Sequence, residues 1–196
     1  MKRMIIGISG ASGVIYGIRA LELLRQIGGI ETHLVLSSAA ARTIRAETRY
    51  SVDEVEGLAD VRHAHRDIGA SIASGSFRTD GMLVAPCSVK TLSAIAHCYT
   101  DDLISRAADV QLKERRRVVL MFRETPLHAG HIDLMAQATR SGAVLMPPVP
   151  AFYARQDSVA PPRDTLDDAV TQSVGRAIDL FGLDAGVVRR WQGQAE

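Results

Sequence analysis

The segment at residues 7–13, GISGASG, constrains the fold more than any other part of the sequence. It ends an apolar run at residues 4–9 and begins an amphipathic run at residues 14–27. Glycines let the backbone turn tightly and approach an anion, and the free N–H groups at a helix start point toward it. The spacing is GxxGxxG, which is neither the dinucleotide GxGxxG nor a P-loop. The segment predicts a phosphate-binding turn between a strand and a helix, with a ligand-free tight turn as the alternative.

Short apolar runs alternate with amphipathic segments along the whole chain. Strands are predicted at residues 4–9, 32–36, 82–85, 118–122 and 144–146. Helices are predicted at 14–27, 39–48, 52–59 (with Ser51 as N-cap), 88–97, 101–116, 128–141 and 165–181. Residues 63–80 and 147–162 are predicted loops. Strands that are apolar throughout and alternate with helices indicate an α/β domain with a parallel sheet covered on both faces. We expect one domain over residues 1–196, with a tail at about 183–196.

Composition excludes several classes of protein. The 196 residues carry a net charge of +1, so no overall field favours nucleic acid or an anionic membrane. No apolar run reaches the ~20 residues of a membrane helix, and no signal-peptide core is seen, so we expect a cytoplasmic protein. Cys87 and Cys98 form no CxxC pair or disulfide framework.

Two further strand ends carry groups suited to anions. Arg123 and Glu124 directly follow the strand at 118–122, and Ser88 begins a helix after Pro86, with Lys90 in its first turn. Carboxyl ends of parallel strands meet at one edge, where ligands of such folds bind. We therefore expect Ser12, Ser88 and Arg123 to converge on an anion site. A structural ion pair is the alternative for Arg123 and Glu124.

Other polar residues are predicted to be structural. Arg115, Arg116 and Arg117 are expected on a solvated helix face, and Cys87 is expected to be a buried, inert thiol. The pairs His63/His65 and His128/His131 lack a third ligand at a recognised spacing, so no metal site is predicted.

Seven segments in order resemble the UbiX-type flavin prenyltransferases, formerly described as aromatic-acid decarboxylases. They are GISGASG, SSAAARTIRAET (37–48), ASGSF (73–77), APCSVKTLSAIA (85–96), RAADVQLKERR (106–116), RETPL (123–127) and PPVPAFY (147–153). The resemblance extends from residue 1 to about residue 191.

The resemblance implies a three-layer Rossmann- or flavodoxin-like domain that binds reduced FMN. Such enzymes transfer a dimethylallyl group from dimethylallyl phosphate to N5 and C6 of the flavin, without a metal. The prenylated FMN serves UbiD-type decarboxylases, in ubiquinone biosynthesis or aromatic-acid decarboxylation. The resemblance further implies a homododecamer with sites at subunit interfaces.

The resemblance also implies roles for individual residues. Glu124 and Ser12 are expected to form a proton relay, and Glu47 matches a second active-site carboxylate. The implied catalytic residues are Ser12, Glu47, Lys113 and Glu124. The implied FMN site comprises Gly10, Ala11, Ser12, Ser37, Ser88, Val89, Lys90, Thr91 and Arg123. The implied prenyl-donor contacts are Ser74, Gly75, Arg106, Lys113, Tyr153, Arg176 and Trp191.

The chain departs from the family pattern at Gln156, where relatives often carry Pro, in a longer stretch at 157–164, and in HIDLM at 131–135. Three alternatives stay open. A flavin-dependent peptidyl-cysteine decarboxylase would carry PASANT where residues 86–91 read PCSVKT. A non-catalytic FMN-carrier subunit of a decarboxylase and a generic nucleotide-binding protein are the others. The sequence leaves the choice of monophosphate or diphosphate donor undecided.

Overall fold

A computed structural model describes residues 1–155 and 166–193. Within them, six strands form one sheet: β1 (Lys2–Ile8), β2 (Ile30–Leu36), β3 (Val61–His63), β4 (Gly81–Cys87), β5 (Arg117–Phe122) and β6 (Val144–Leu145). The helices are α1 (Ile15–Ile27), α2 (Ser38–Glu47), α3 (Val52–Glu56), α4 (Val89–Ala96), α5 (Leu103–Lys113), α6 (Ala129–Arg140) and α7 (Leu166–Asp179).

The strand order is β3-β2-β1-β4-β5-β6, and every neighbouring pair is parallel. This is the Rossmann order, in which the connections reverse direction between β1 and β4. The predicted three-layer α/β fold is confirmed. The reversal places a crevice at the carboxyl ends of β1 and β4, where the GISGASG turn lies.

Alternate residues of each strand enter two separate cores. In β1, Ile6 and Ile8 pack with α1, α2, α3 and α7, whereas Ile5 packs with α4, α5 and α6 on the opposite face. Both faces of the sheet are thus buried, which explains why its strands read as continuous apolar runs rather than alternating ones.

The sequence missed one strand and two short 3₁₀ turns. β3 has only three residues, none fully buried, so it carries no apolar signal. The turns Ser71–Ala73 and Phe152–Arg155 lie in segments predicted as loop. The predicted N-cap Ser51 is confirmed by a reciprocal capping box with Glu54. The departures at Gln156 and at residues 157–164 lie outside the described residues.

The expectation of a solvated helix face at residues 115–117 is wrong: no helix contains these residues, Arg117 begins β5, and the Arg116 side chain is largely buried. Helix α5 ends at Lys113, and Arg115 has a left-handed φ of 57° that turns the chain. The Arg116 guanidinium then donates to the carbonyls of Phe77 at 3.0 Å and Gly75 at 2.8 Å. Arg116 therefore anchors the polar loop that precedes β4.

No helix among the described residues is long and apolar enough to span a bilayer.

Candidate active site

Ser9 joins the ends of the two strands at which the chain connections reverse. Its Oγ donates to the Pro86 carbonyl at 2.8 Å and accepts the Ser88 backbone N–H at 2.8 Å. Ser9 is buried, so these bonds satisfy a polar side chain that would otherwise be costly. The sequence argument overlooked this residue, although a serine ending an apolar strand was a visible signal.

The geometry of the GISGASG turn explains its outer glycines. A Cβ added at Gly10 would lie 2.3 Å from the Cβ of Ala39, in the first turn of α2. Gly13 has φ +92°, which side chains rarely adopt, and its N–H donates to Glu47 Oε2 at 2.8 Å. The turn therefore approaches α2 more closely than any other residue type at position 10 allows.

A cleft of about 450 Å³ opens at this edge of the sheet. Its volume lies within the range typical of small-molecule sites. The structure brings Ser12, Ser88 and Arg123 together here, as the strand-end argument predicts. The cleft is lined by Gly10, Ala11, Ser12, Ser37, Ser38, Ala39, His65, Arg66, Ser88, Val89, Lys90, Thr91, Asp102, Arg123 and Glu124.

All nine residues expected in the FMN site therefore line one cleft. Three of the helices described above begin on it, and two of them have serine caps: Ser37 caps α2 through the Ala40 N–H at 3.0 Å, and Ser88 caps α4 through the Thr91 N–H at 3.3 Å. Helix N-termini favour anions because their free N–H groups carry partial positive charge. The donor set thus fits the phosphate of FMN.

Cations outnumber carboxylates around the cleft. Arg66, Lys90 and Arg123 face two acids, Asp102 and Glu124. Among the described residues, no carboxylate pairs with the Arg123 guanidinium, which lies at the carboxyl end of buried β5 and interacts electrostatically with Tyr16. A cation held at a strand end without a carboxylate partner is suited to bind an anionic ligand.

Five residues that line the cleft were not anticipated as site residues from the sequence: Ser38, Ala39, His65, Arg66 and Asp102. Asp102 caps α5 through the Ser105 N–H at 2.9 Å and lies 3.5 Å from His65 Nε2 and 3.6 Å from Lys90 Nζ. Burial opposes ionisation of Asp102, but the Ser105 N–H and the nearby His65 and Lys90 outweigh it and lower its pKa. Burial lowers the pKa of His65. His65, Lys90 and Asp102 meet only through tertiary contacts between β3, α4 and α5.

The carboxylates expected to be catalytic occupy different positions. Glu124 lines the cleft, and its Oε1 accepts the Thr125 N–H at 2.9 Å. Glu47 does not line the cleft and instead supports the turn through Gly13. Ser12 and Glu124 thus share the cleft, whereas Glu47 contacts the turn at Gly13.

The residues expected to bind the prenyl donor form two further groups outside this cleft. The first group consists of Arg106 and Lys113 on α5, with Ser74 and Gly75 in the loop packed beside that helix. The Arg106 Nε donates to the Ala73 carbonyl at 3.2 Å, and a Cβ added at Gly75 would lie 2.7 Å from Lys113 Nζ. The helix rises about 15 Å from Leu103 to Lys113. Lys113 therefore lies well away from the cleft, which is at the other end of the helix, next to Asp102.

The second group lies near the carboxyl end of the chain. The rings of Tyr153 and Trp191 meet edge to face, with centroids 6.4 Å apart and planes at 77°. Arg176 donates from Nη1 to Asp179 Oδ2 at 2.7 Å. Of the three residues in this group, Tyr153 and Trp191 are therefore in direct contact, because the tail carries Trp191 to the Tyr153 ring.

The remaining polar candidates fit structural roles. Cys87 is buried, and burial raises the pKa of its thiol, as expected for an inert cysteine. His63 bonds to His33 at 2.9 Å, whereas His65 faces Asp102, so this pair does not converge on one point. Within the described ranges, no three potential metal-ligating side chains cluster.

Comparison with known proteins places the chain in a family. The Flavoprotein family profile matches residues 1–170. The flavin prenyltransferase UbiX of Escherichia coli K12 is 58% identical over 195 residues, which cover 98% of this chain and all of that protein. The chain belongs to the UbiX family of flavin prenyltransferases.

Solved structures support the same placement. The structure of AnUbiX (PadA1) with FMN and dimethylallyl pyrophosphate has a TM-score of 0.93 at 49% identity and covers 99% of both chains. A dodecameric FMN-dependent UbiX-like decarboxylase from Escherichia coli O157:H7 has a TM-score of 0.91 at 48% identity, covering 97% of this chain and all of that one. Because the chain belongs to the UbiX family, the alternatives are not favoured. These were a cysteine decarboxylase, an FMN-carrier subunit and a generic nucleotide-binding protein.

Proposed function

We propose that this protein transfers a dimethylallyl group from dimethylallyl phosphate to N5 and C6 of reduced FMN, giving prenylated FMN. The observation that carries the proposal is the convergence of the GISGASG turn, the α4 N-terminus and Arg123 on one cleft, in a chain of the UbiX family. A similar protein, AnUbiX, has been solved with FMN and dimethylallyl pyrophosphate.

The cleft residues divide the work of holding FMN. The backbone N–H groups of residues 10–12 and of the α4 start are suited to phosphate oxygens, and Arg123 supplies a positive charge that no carboxylate in the described ranges neutralises. Bound here, reduced FMN supplies the nucleophilic N5 and C6. Ser12 and Glu124 line the same cleft, so they are placed to move the proton that leaves C6 when the fourth ring closes.

The donor phosphate needs cations that neutralise the charge of the leaving group. Arg106, Lys113 and Arg176 are suited to this, and Tyr153 offers a phenolic donor. In one chain they lie outside the FMN cleft, so we propose that neighbouring subunits complete the site in a dodecamer. Exposed apolar side chains at Leu127, Ile132, Val149 and Phe152 are consistent with such contacts.

The proposal extends to the fate of the product. Prenylated FMN would pass to a UbiD-type decarboxylase in the cytoplasm, in ubiquinone biosynthesis or aromatic-acid breakdown. No metal is required, because Lys and Arg side chains supply the positive charge at the leaving phosphate.

The test is anaerobic incubation of the purified protein with reduced FMN and dimethylallyl phosphate, followed by mass spectrometry of the extracted flavin. We expect a mass gain of one dimethylallyl unit, and a parallel reaction with the diphosphate identifies the preferred donor. Arg123→Gln should lose FMN binding and product. Arg25→Gln, at the far end of α1, removes the same charge and should retain both. Unmodified flavin with both donors would refute the transferase assignment.

A further inference from the structure

The segment after α7 turns back along that helix and carries Trp191 toward Tyr153. We propose that Asp179 is a positioning residue of the prenyl-donor site: by holding Arg176 and Arg190 together, it orients the Arg176 guanidinium and seats Trp191 against Tyr153. This inference rests on the proposed function, in which Arg176, Tyr153 and Trp191 contact the donor.

Asp179 receives three short hydrogen bonds from two arginines. Arg190 binds both carboxylate oxygens, with Nη1 at 2.7 Å from Oδ2 and Nη2 at 3.0 Å from Oδ1. Arg176 Nη1 donates to Oδ2 at 2.7 Å. The Asp179 side chain is only 12% exposed, and bidentate pairs of this kind fix orientation as well as supply energy. Asp179 therefore links the last turn of α7 to the tail.

A second contact fastens the tail about two turns earlier on α7. The Gln172 amide donates from Nε2 to the Arg189 carbonyl at 3.0 Å and accepts the Arg189 N–H through Oε1 at 2.9 Å. A Cβ added at Gly175 would lie 2.7 Å from Val188 Cγ2, so the small residue lets the tail pack closely. Backbone and side-chain contacts thus fix the path of residues 187–190 immediately before Trp191.

We call the contacts of Asp179 with Arg176 and Arg190 the clamp. The clamp determines how Arg176 and Trp191 are oriented toward the proposed donor. Asp179 accepts from only one of the five guanidinium N–H donors of Arg176. The Arg176 side chain is 44% exposed, which leaves the other donors accessible to a phosphate. Trp191 follows Arg190 directly and meets the Tyr153 ring edge to face. Without Asp179, Arg176 would lose its counter-charge and Arg190 would keep only the exposed Asp184 at 3.6 Å, so both guanidinium groups would lose their fixed orientation.

The single tryptophan makes the clamp measurable without any substrate, because all tryptophan fluorescence comes from Trp191. Asp179→Asn should shift its emission to the red and increase its quenching by acrylamide. With FMN present, the KM for dimethylallyl phosphate should rise about tenfold, as expected when two side chains must be ordered on binding. The FMN Kd should change by less than about twofold, since Asp179 is not at the FMN cleft.

Asp184→Asn is the matched control. Asp184 lies 3.6 Å from Arg190 on the same tail but is largely exposed, so its loss should leave both fluorescence and KM unchanged. If Asp179→Asn fails to fold, Arg190→Gln on the surface tests the tail alone and should still increase Trp191 quenching while leaving the Arg176–Asp179 pair intact.

The outcomes separate the two proposals. Unchanged Trp191 fluorescence in both Asp179→Asn and Arg190→Gln would overturn the positioning role. An unchanged KM for dimethylallyl phosphate in folded Asp179→Asn would also overturn it, even if the wild-type protein forms prenylated FMN. Equal loss of FMN and donor affinity would overturn it as well, since it would indicate general disruption. Absence of prenylated flavin from the wild-type protein would instead refute the proposed function and with it the donor-site role of Asp179.

Discussion

Glu124 lies two residues beyond the end of β5, and it shows how a single residue can have both a structural contact and a place in this cleft. Its carboxylate lines the cleft while accepting a hydrogen bond from its own loop at the Thr125 N–H. The same side chain therefore has one structural contact and one face toward the proposed flavin site. A substitution that keeps the first and removes the second separates the two roles.

We predict that Glu124→Gln binds FMN normally but forms prenylated FMN about 10²–10⁴ times more slowly, the usual contribution of a general acid or base. The amide oxygen of Gln can still accept from Thr125, so the loop should be retained. Single-turnover formation of product at saturating donor measures the effect. Wild-type turnover in this variant would remove Glu124 from proton transfer.

Helix α5 shows how one element serves two distant places. Its N-cap Asp102 lies on the FMN cleft, whereas Lys113 near its other end lies over Gly75. The buried Asp102 caps the helix and also faces His65 and Lys90. Capping and charge pairing can be tested apart, because Asn caps a helix as well as Asp.

At this scale we predict that Asp102→Ala lowers the free energy of unfolding by about 1 kcal/mol, whereas Asp102→Asn changes it much less. The loss should lower Tm by roughly 3 °C for a chain of this size. Urea and thermal unfolding of the two variants provide the measurement. If Asn proves as destabilising as Ala, charge pairing rather than the cap is what stabilises this end of α5.

The response of the whole molecule to acid follows from groups spread across the sheet and the tail. The Thr32 backbone N–H and hydroxyl lower the pKa of Asp60, and Arg190 with Arg176 lowers the pKa of Asp179. Burial lowers the pKa of His63 and of His65. In each case the folded state binds protons less readily than the unfolded state, so acid favours unfolding.

We predict that stability declines in two stages as pH falls. The histidine contribution is complete above the unfolded pKa of about 6.5, and the aspartate contribution above about 3.9. Each is lost as pH falls through the lower folded pKa. Urea unfolding between pH 4 and 8 should show the first stage, and His65→Gln should reduce its slope. A free energy of unfolding that stays constant from pH 8 to pH 5 would contradict the histidine assignment.

The sequence by itself determined the α/β class, five of the six described strands, the N-caps at Ser51 and Ser88, and the phosphate turn. These features depend on local spacing: apolar runs, capping serines and glycines act within a few residues of the chain. The motif order also indicated the family. The strand-end argument predicted that Ser12, Ser88 and Arg123 meet, and the nine residues that the resemblance implies for FMN line one cleft with them.

Only the tertiary structure decided which distant residues meet. Ser9 bonds to Pro86, and His65 and Asp102 line the cleft. Arg116 bonds to the loop at Gly75, and Asp179 pairs with Arg190. The tertiary structure also separated Lys113 from the cleft within one chain. Such contacts join elements distant in sequence, so they depend on sheet order and helix packing, which the periodicity of each segment does not encode.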